Sequence, residues 1–112
     1  MEARESAQKY PPSAIEPLVN VTVFEHYVQV TADMPLADPS TIRIRGLSQN
    51  VLEIAARLKR VVRYEELGAS HRRGCLTCFY ARVKLPVSVA LEHMEWKFKN
   101  GYLVLRVPRR SS

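Results

Sequence analysis

With 112 residues the chain has room for one domain, whose folding can remove roughly two-thirds of its unfolded surface from water. Apolar residues make up 46% and charged residues 25%, the balance of a soluble globular protein. No apolar run approaches the roughly 20 residues of a membrane-spanning helix, and the charged start Met1-Glu2-Ala3-Arg4-Glu5 lacks a signal-peptide core, so a cytoplasmic protein is expected.

The net charge of +6 is local. Between residues 57 and 84, Arg57, Lys59, Arg60, Arg63, Arg72, Arg73, Arg82 and Lys84 face only Glu65 and Glu66, which accounts for the whole excess. Such a segment suits nucleic acid or an acidic partner, or a solvated loop that blunts sheet edges. Within the loop itself Tyr64 is the only aromatic residue, so base stacking has no support and nucleic acid is not favoured as a partner.

In chain order, residues 1–17 are polar, contain Pro11, Pro12 and Pro17, and read as a flexible N-terminal arm. Val19, Val21 and Val23 alternate with Asn20, Thr22 and Phe24, which predicts a first strand. After a turn at His26 and Tyr27, Val28, Val30, Ala32 and Met34 alternate with Gln29, Thr31 and Asp33 as a second. Pro35 and Pro39 bracket a loop that no sheet interior accepts. Ile42 and Ile44 alternate with Arg43 and Arg45, and Gly46 is read as the end of that strand. Leu52, Ile54, Ala56 and Leu58 then share one face of the next. Residues 59–74 read as a charged loop, in which Val61-Val62-Arg63-Tyr64 is a candidate short strand.

From Cys75 a long strand runs to Leu85, with Phe79, Val83 and Leu85 on one face and Tyr80, Arg82 and Lys84 on the other, and Pro86 stops it. Residues 87–93 read as a loop or a single helical turn. Trp96 and Phe98 alternate with Lys97 and Lys99, and Leu103, Leu105 and Val107 alternate with Tyr102, Val104 and Arg106. Asn100-Gly101 between them supplies the positive φ that a tight hairpin needs. No amphipathic helix is evident. The expected fold is all-β: a two-sheet antiparallel, immunoglobulin-like β-sandwich of seven or eight strands.

The chemical inventory is sparse. Cys75-Leu76-Thr77-Cys78 is a C-x-x-C, but it lacks a second ligand pair for zinc, and in a strand its two cysteines point to opposite faces. Structural thiols are the better reading. His26, His71 and His93 are isolated in predicted turns, and no nucleophile has a base beside it. The chain therefore reads as a binding protein, not an enzyme, with no metal and no cofactor. Trp96, the only tryptophan, either fills the core between the sheets or lines an apolar groove at a sheet edge.

Four motifs carry a family resemblance. Asp33-Met34-Pro35-Leu36 resembles D-[LM]-P-G, with Leu36 where glycine is usual. Asn50-Val51-Leu52-Glu53-Ile54 resembles N-x-L-x-I. Phe79-Tyr80-Ala81-Arg82-Val83-Lys84-Leu85-Pro86 resembles F-x-R-x-F-x-L-P. The stretch from Met94 through Asn100, Gly101 and Leu103 resembles I-x-A-x-x-x-N-G-V-L. In this order they resemble the α-crystallin domain of the small heat shock proteins, over residues 18–108. Ala81 stands where an arginine that helps pair dimers is common, Trp96 where a small residue is usual, and Tyr102 where valine is. Residues 109–112 form a short tail without the family's I-x-I.

The resemblance implies an ATP-independent holdase that binds partly unfolded client proteins and prevents their aggregation. It implies a homodimer, with a strand from the long loop crossing to the partner's second strand; Val61, Val62 and Tyr64 are the candidates here. It further implies an apolar groove between the strands at 41–46 and 94–99 that takes a neighbour's tail, with Ile42, Ile44, Trp96 and Phe98 near it and Trp96 partly filling it. The short tail suggests a dimer or small oligomer, not a large cage. A co-chaperone domain of the CS type, an adaptor for one specific partner, is the alternative; the long loop and the Asn-Gly motif favour the heat shock reading.

Overall fold

The computed structural model describes residues 14–63 and 75–110. Within them the strands are β1 (Ala14–Ile15), β2 (Leu18–Val23), β3 (Tyr27–Asp33), β4 (Arg43–Ser48), β5 (Val51–Arg63), β6 (Cys75–Lys84), β7 (Glu95–Lys99) and β8 (Tyr102–Pro108). Short 3-10 turns cover Pro39–Thr41 and Leu91–His93, and no α-helix occurs among the described residues. One sheet has the order β1-β6-β5-β4 and the other β2-β3-β8-β7. Every pairing is antiparallel except β1 with β6. The predicted β-sandwich is thus observed.

The alternating faces meet as the core. Val28, Val30, Ala32 and Met34 of the β3 segment and Leu103, Leu105 and Val107 of β8 cover one sheet. Leu52, Ile54 and Ala56 of β5, with Phe79, Ala81 and Val83 of β6, cover the other. Each large aliphatic side chain so buried contributes about 1.5–3 kcal/mol, which holds the two sheets together. Among the described residues, no buried side-chain nitrogen or oxygen lacks a hydrogen bond.

The Asn-Gly hairpin forms as expected, with Asn100 at φ 52° and Gly101 at φ 79°. It also docks: the Met34 amide donates to the Gly101 carbonyl at 2.7 Å, and a Cβ on Gly101 would lie 3.1 Å from Pro35 Cα. Leu36, in the position where the family motif has glycine, adopts φ 72°. That left-handed conformation costs a residue with a Cβ about 1–2 kcal/mol.

Three boundaries differ from the sequence reading. Residues 14–17 belong to the domain: Ala14 and Ile15 pair with Cys78 and Phe79, Pro17 is buried, and the chain crosses from one sheet to the other. Burial of Ile15 against the core and pairing of an otherwise bare β6 edge account for this.

The strand at Gly46 does not end there. β4 continues to Ser48, with a register shift between Gly46 and Ser48. Gly46 leaves room for Leu91, since a Cβ on it would stand 3.3 Å from Leu91 Cγ and closer still to Cδ1, and the leucine would have to shift.

The predicted loop also begins later than residue 59, because β5 continues to Arg63. Val62 pairs with Leu76 and Arg63 with Cys75, after a register shift that begins at Arg57. At that irregularity the 36–38 segment acts as a neighbouring strand. The Asp38 amide donates to the Arg57 carbonyl at 2.8 Å, and the Lys59 amide to the Leu36 carbonyl at 2.7 Å. Of the dimer-interface candidates, Val61 and Val62 therefore lie in β5, and Tyr64 lies outside the described residues.

Candidate functional site

The sheet orders leave β4 at the edge of one sheet and β7 at the edge of the other. Ile42 follows the Pro39–Thr41 turn in extended conformation, and Ile44 is the second residue of β4. Both are half-buried and pack on the core. Across the sandwich, Trp96 is opposite Leu105 in the β7–β8 ladder and Phe98 is opposite Leu103. Cross-strand partners share a face, so both aromatics are on the inner side of their sheet. Leu105 is fully buried, yet Trp96 is 40% exposed, because an edge strand has no neighbour to cover it.

Leu91 bridges the two edges. It leads the 3-10 turn before β7, packs on the core, and rests over Gly46 of β4. Met94 packs on the core two residues before Trp96. Leu47, 38% exposed, adds apolar surface on the β4 side. The structure thus puts Ile42 and Ile44 on one edge segment and Trp96 and Phe98 on the other. It also separates them locally: Ile42 borders a hollow beside Arg43 and Arg57, whereas Trp96 borders one beside Val104 and Arg106.

The outer face of the β4-β5-β6 sheet carries the strongest polar cluster. Arg45 Nε and Nη2 each lie 2.9 Å from Glu53 Oε1, and the Tyr80 hydroxyl donates to Glu53 Oε2. That hydroxyl bond, helped by Arg45, holds the Glu53 carboxyl below the usual carboxylate range. Burial and the same carboxylate push the Tyr80 hydroxyl up. Ala81, next along the strand, is buried on the opposite face. The cluster is a structural brace across three strands, and no group of three or more potential metal ligands occurs among the described residues. Cys78 is a free thiol.

A second apolar edge was missed by sequence reasoning. Between β2 and β6 a hollow of about 470 Å³ is bordered by Val19, Val21, Ala81 and Val83. Below it another of about 310 Å³ is lined almost wholly by carbon, from Ile15, Pro17, Leu36, Leu58 and Phe79. Leu18, 76% exposed, stands between them. Alternation at Val19, Val21 and Val23 announced a half-buried strand, but only the sheet order reveals that it is an edge.

By sequence the chain matches no family model and no curated protein. Solved structures match closely in fold. Heat shock protein 16.0 from Schizosaccharomyces pombe is 17% identical with a TM-score of 0.69, over 99% of this chain and 85% of that one. The hspA protein from Xanthomonas axonopodis is 26% identical with a TM-score of 0.64, over 86% and 95%. A small heat-shock protein from Xylella fastidiosa is 20% identical with a TM-score of 0.61, over 86% and 87%. Sandwich topology, the docked Asn100-Gly101 hairpin and the signature motifs agree with these likenesses, and together they show the α-crystallin type of β-sandwich fold found in the small heat shock proteins, the family that this chain resembles.

Proposed function

We propose that this chain is an ATP-independent holdase that captures partly unfolded proteins on apolar sheet edges. The observation that carries the reading is the exposure of large apolar side chains at edge strands: Leu18 on β2 and Trp96 on β7. A folded monomer normally covers or charges such edges, and apolar surface left at them serves binding. On the β4–β7 side, Ile42, Ile44, Trp96 and Phe98 form the client-binding rim, with Trp96 as its bulkiest contact. The protein self-associates as a dimer through the far end of the β5–β6 hairpin, which carries Val61 and Val62, against the bare edge of β2 in a partner.

The test is suppression of thermal aggregation of a model substrate, without nucleotide, at stoichiometric chain concentrations. A holdase delays light scattering in proportion to its concentration; no delay at a fourfold excess would sink the reading and leave a specific adaptor in its place. Trp96→Ala should weaken both this suppression and the uptake of an apolar peptide. Unchanged values for that variant would remove Trp96 from the client surface.

A further inference from the structure

The outer face of the β4-β5-β6 sheet is a cationic plane. Strand register puts Arg45, Glu53 and Arg82 in one row, and Arg43, Ala55 and Tyr80 in the next. Arg57 and Lys84 stand on the same face, opposite Cys78 and Val51. Two carboxylates are close. Glu53 is held by Arg45 and Tyr80, and Asp38 accepts from the Ser40 amide and hydroxyl at 3.1 and 2.9 Å. Among the described residues Arg43, Arg57 and Lys84 make no ion pair, which leaves three cations on one sheet face without a carboxylate partner there. Between Arg43 and Arg57, over the small side chain of Ala55, lies a hollow of about 380 Å³.

We propose that this face binds the phosphodiester backbone of nucleic acid, with one phosphate seated between Arg43 and Arg57. Residues two apart on a strand are about 6.8 Å apart and neighbouring strands about 4.8 Å apart, so the cations form a flat lattice that an extended polyanion can follow. A second copy of the chain does not supply the anions among the described residues, because its carboxylates are scattered. Glu92 is held by Arg110 at 3.1 Å, Glu25 sits beside His26, and Glu16 and Asp33 border the carbon-lined hollow.

A lipid surface fits less well. Membrane-surface binding combines cations with apolar side chains on one face. Here Leu18, Val23, Phe24, Leu36, Trp96 and Tyr102, exposed apolar residues of the other edges and turns, are elsewhere, and among the described residues only Leu47 of the exposed large apolar side chains is at the rim. Tyr80, the one aromatic of this face among the described residues, is buried and bound to Glu53. Contacts are therefore to phosphates and carry no sequence preference.

Fluorescence anisotropy of the full chain with a labelled 20-base-pair duplex tests this. Three phosphate contacts give a slope of about −2.7 in log affinity against log salt. Arg43→Gln/Arg57→Gln should lower affinity at least tenfold at low salt and flatten the slope by about 2. Lys97→Gln/Lys99→Gln, with the same charge change on the other sheet, should leave both nearly unchanged, and thermal melts confirm that each variant folds. Equal losses in the two variants overturn the proposal, as does retained affinity in the arginine variant. So does binding to phosphatidylserine vesicles without binding to duplex.

Discussion

The contact between Gly46 and Leu91 lets the packing between the two open edges be measured. In Gly46→Ala the new Cβ occupies space held by Leu91 Cδ1, so Leu91 must leave its seat. Overpacking of this kind costs about 1–3 kcal/mol. Replacing glycine with alanine returns about 0.4–1 kcal/mol by stiffening the unfolded chain, provided the backbone is not left-handed, and at Gly46 it is not. The net expectation is a loss of about 1–2 kcal/mol. Leu91→Ala alone removes a half-buried side chain and costs about 1–2 kcal/mol, below the range for a fully buried leucine.

In Gly46→Ala/Leu91→Ala the methyl group enters space that the leucine has vacated. The double variant should therefore be more stable than the sum of the two losses by about 1–2 kcal/mol. Urea unfolding at one fixed protein concentration measures all four proteins, because self-association of the kind proposed would make apparent stability concentration-dependent. Additivity within about 0.5 kcal/mol would refute the argument and mean that Leu91 does not rest on Gly46 in solution.

Gly101→Ala should cost about 2 kcal/mol, combining left-handed strain with a crowded approach to Pro35, and lower the thermal midpoint by several degrees. At position 36 both Leu36→Ala and Leu36→Gly lose the side chain, but only glycine relieves the positive φ. Leu36→Gly should be the more stable of the two by about 1 kcal/mol, the reverse of the usual order, in the same urea assay. Glu53 gives a pH signature. Its folded value is depressed, so its contribution is complete above the ordinary value of 4.5 and is lost as pH falls through the folded value. Tyr80 is raised, so its contribution is complete below 10.0 and is lost as pH climbs through its folded value. Stability of Glu53→Gln should therefore fall less steeply than wild type below pH 4.5, and parallel acid limbs would exclude the brace.

What the sequence discloses here is what period two and turn chemistry can encode. Val28-Val30-Ala32-Met34 and Leu103-Leu105-Val107 mark their faces because each buried position is followed by an exposed one. Asn100-Gly101 marks its hairpin because few other pairs accept two positive φ angles. What stays hidden is whatever depends on which strands become neighbours. Gly46 looks like a strand end until Leu91, far along the chain, is seen to occupy its missing Cβ. Arg43 and Arg45 belong to one predicted strand, Arg57 to the next, and Arg82 and Lys84 to a third, so a count along the chain shows them as separate charges. Only the register of β4 with β5 and of β5 with β6 makes them one face. The site residues obey the same rule. Trp96 is legible as an inward strand residue, but its exposure follows from β7 lying at an edge, which is a property of the sheet order and not of any local pattern. Sheet edges and the composition of a sheet face both follow from which strands become neighbours, so the candidate binding surfaces are the part of this sandwich that local sequence encodes least.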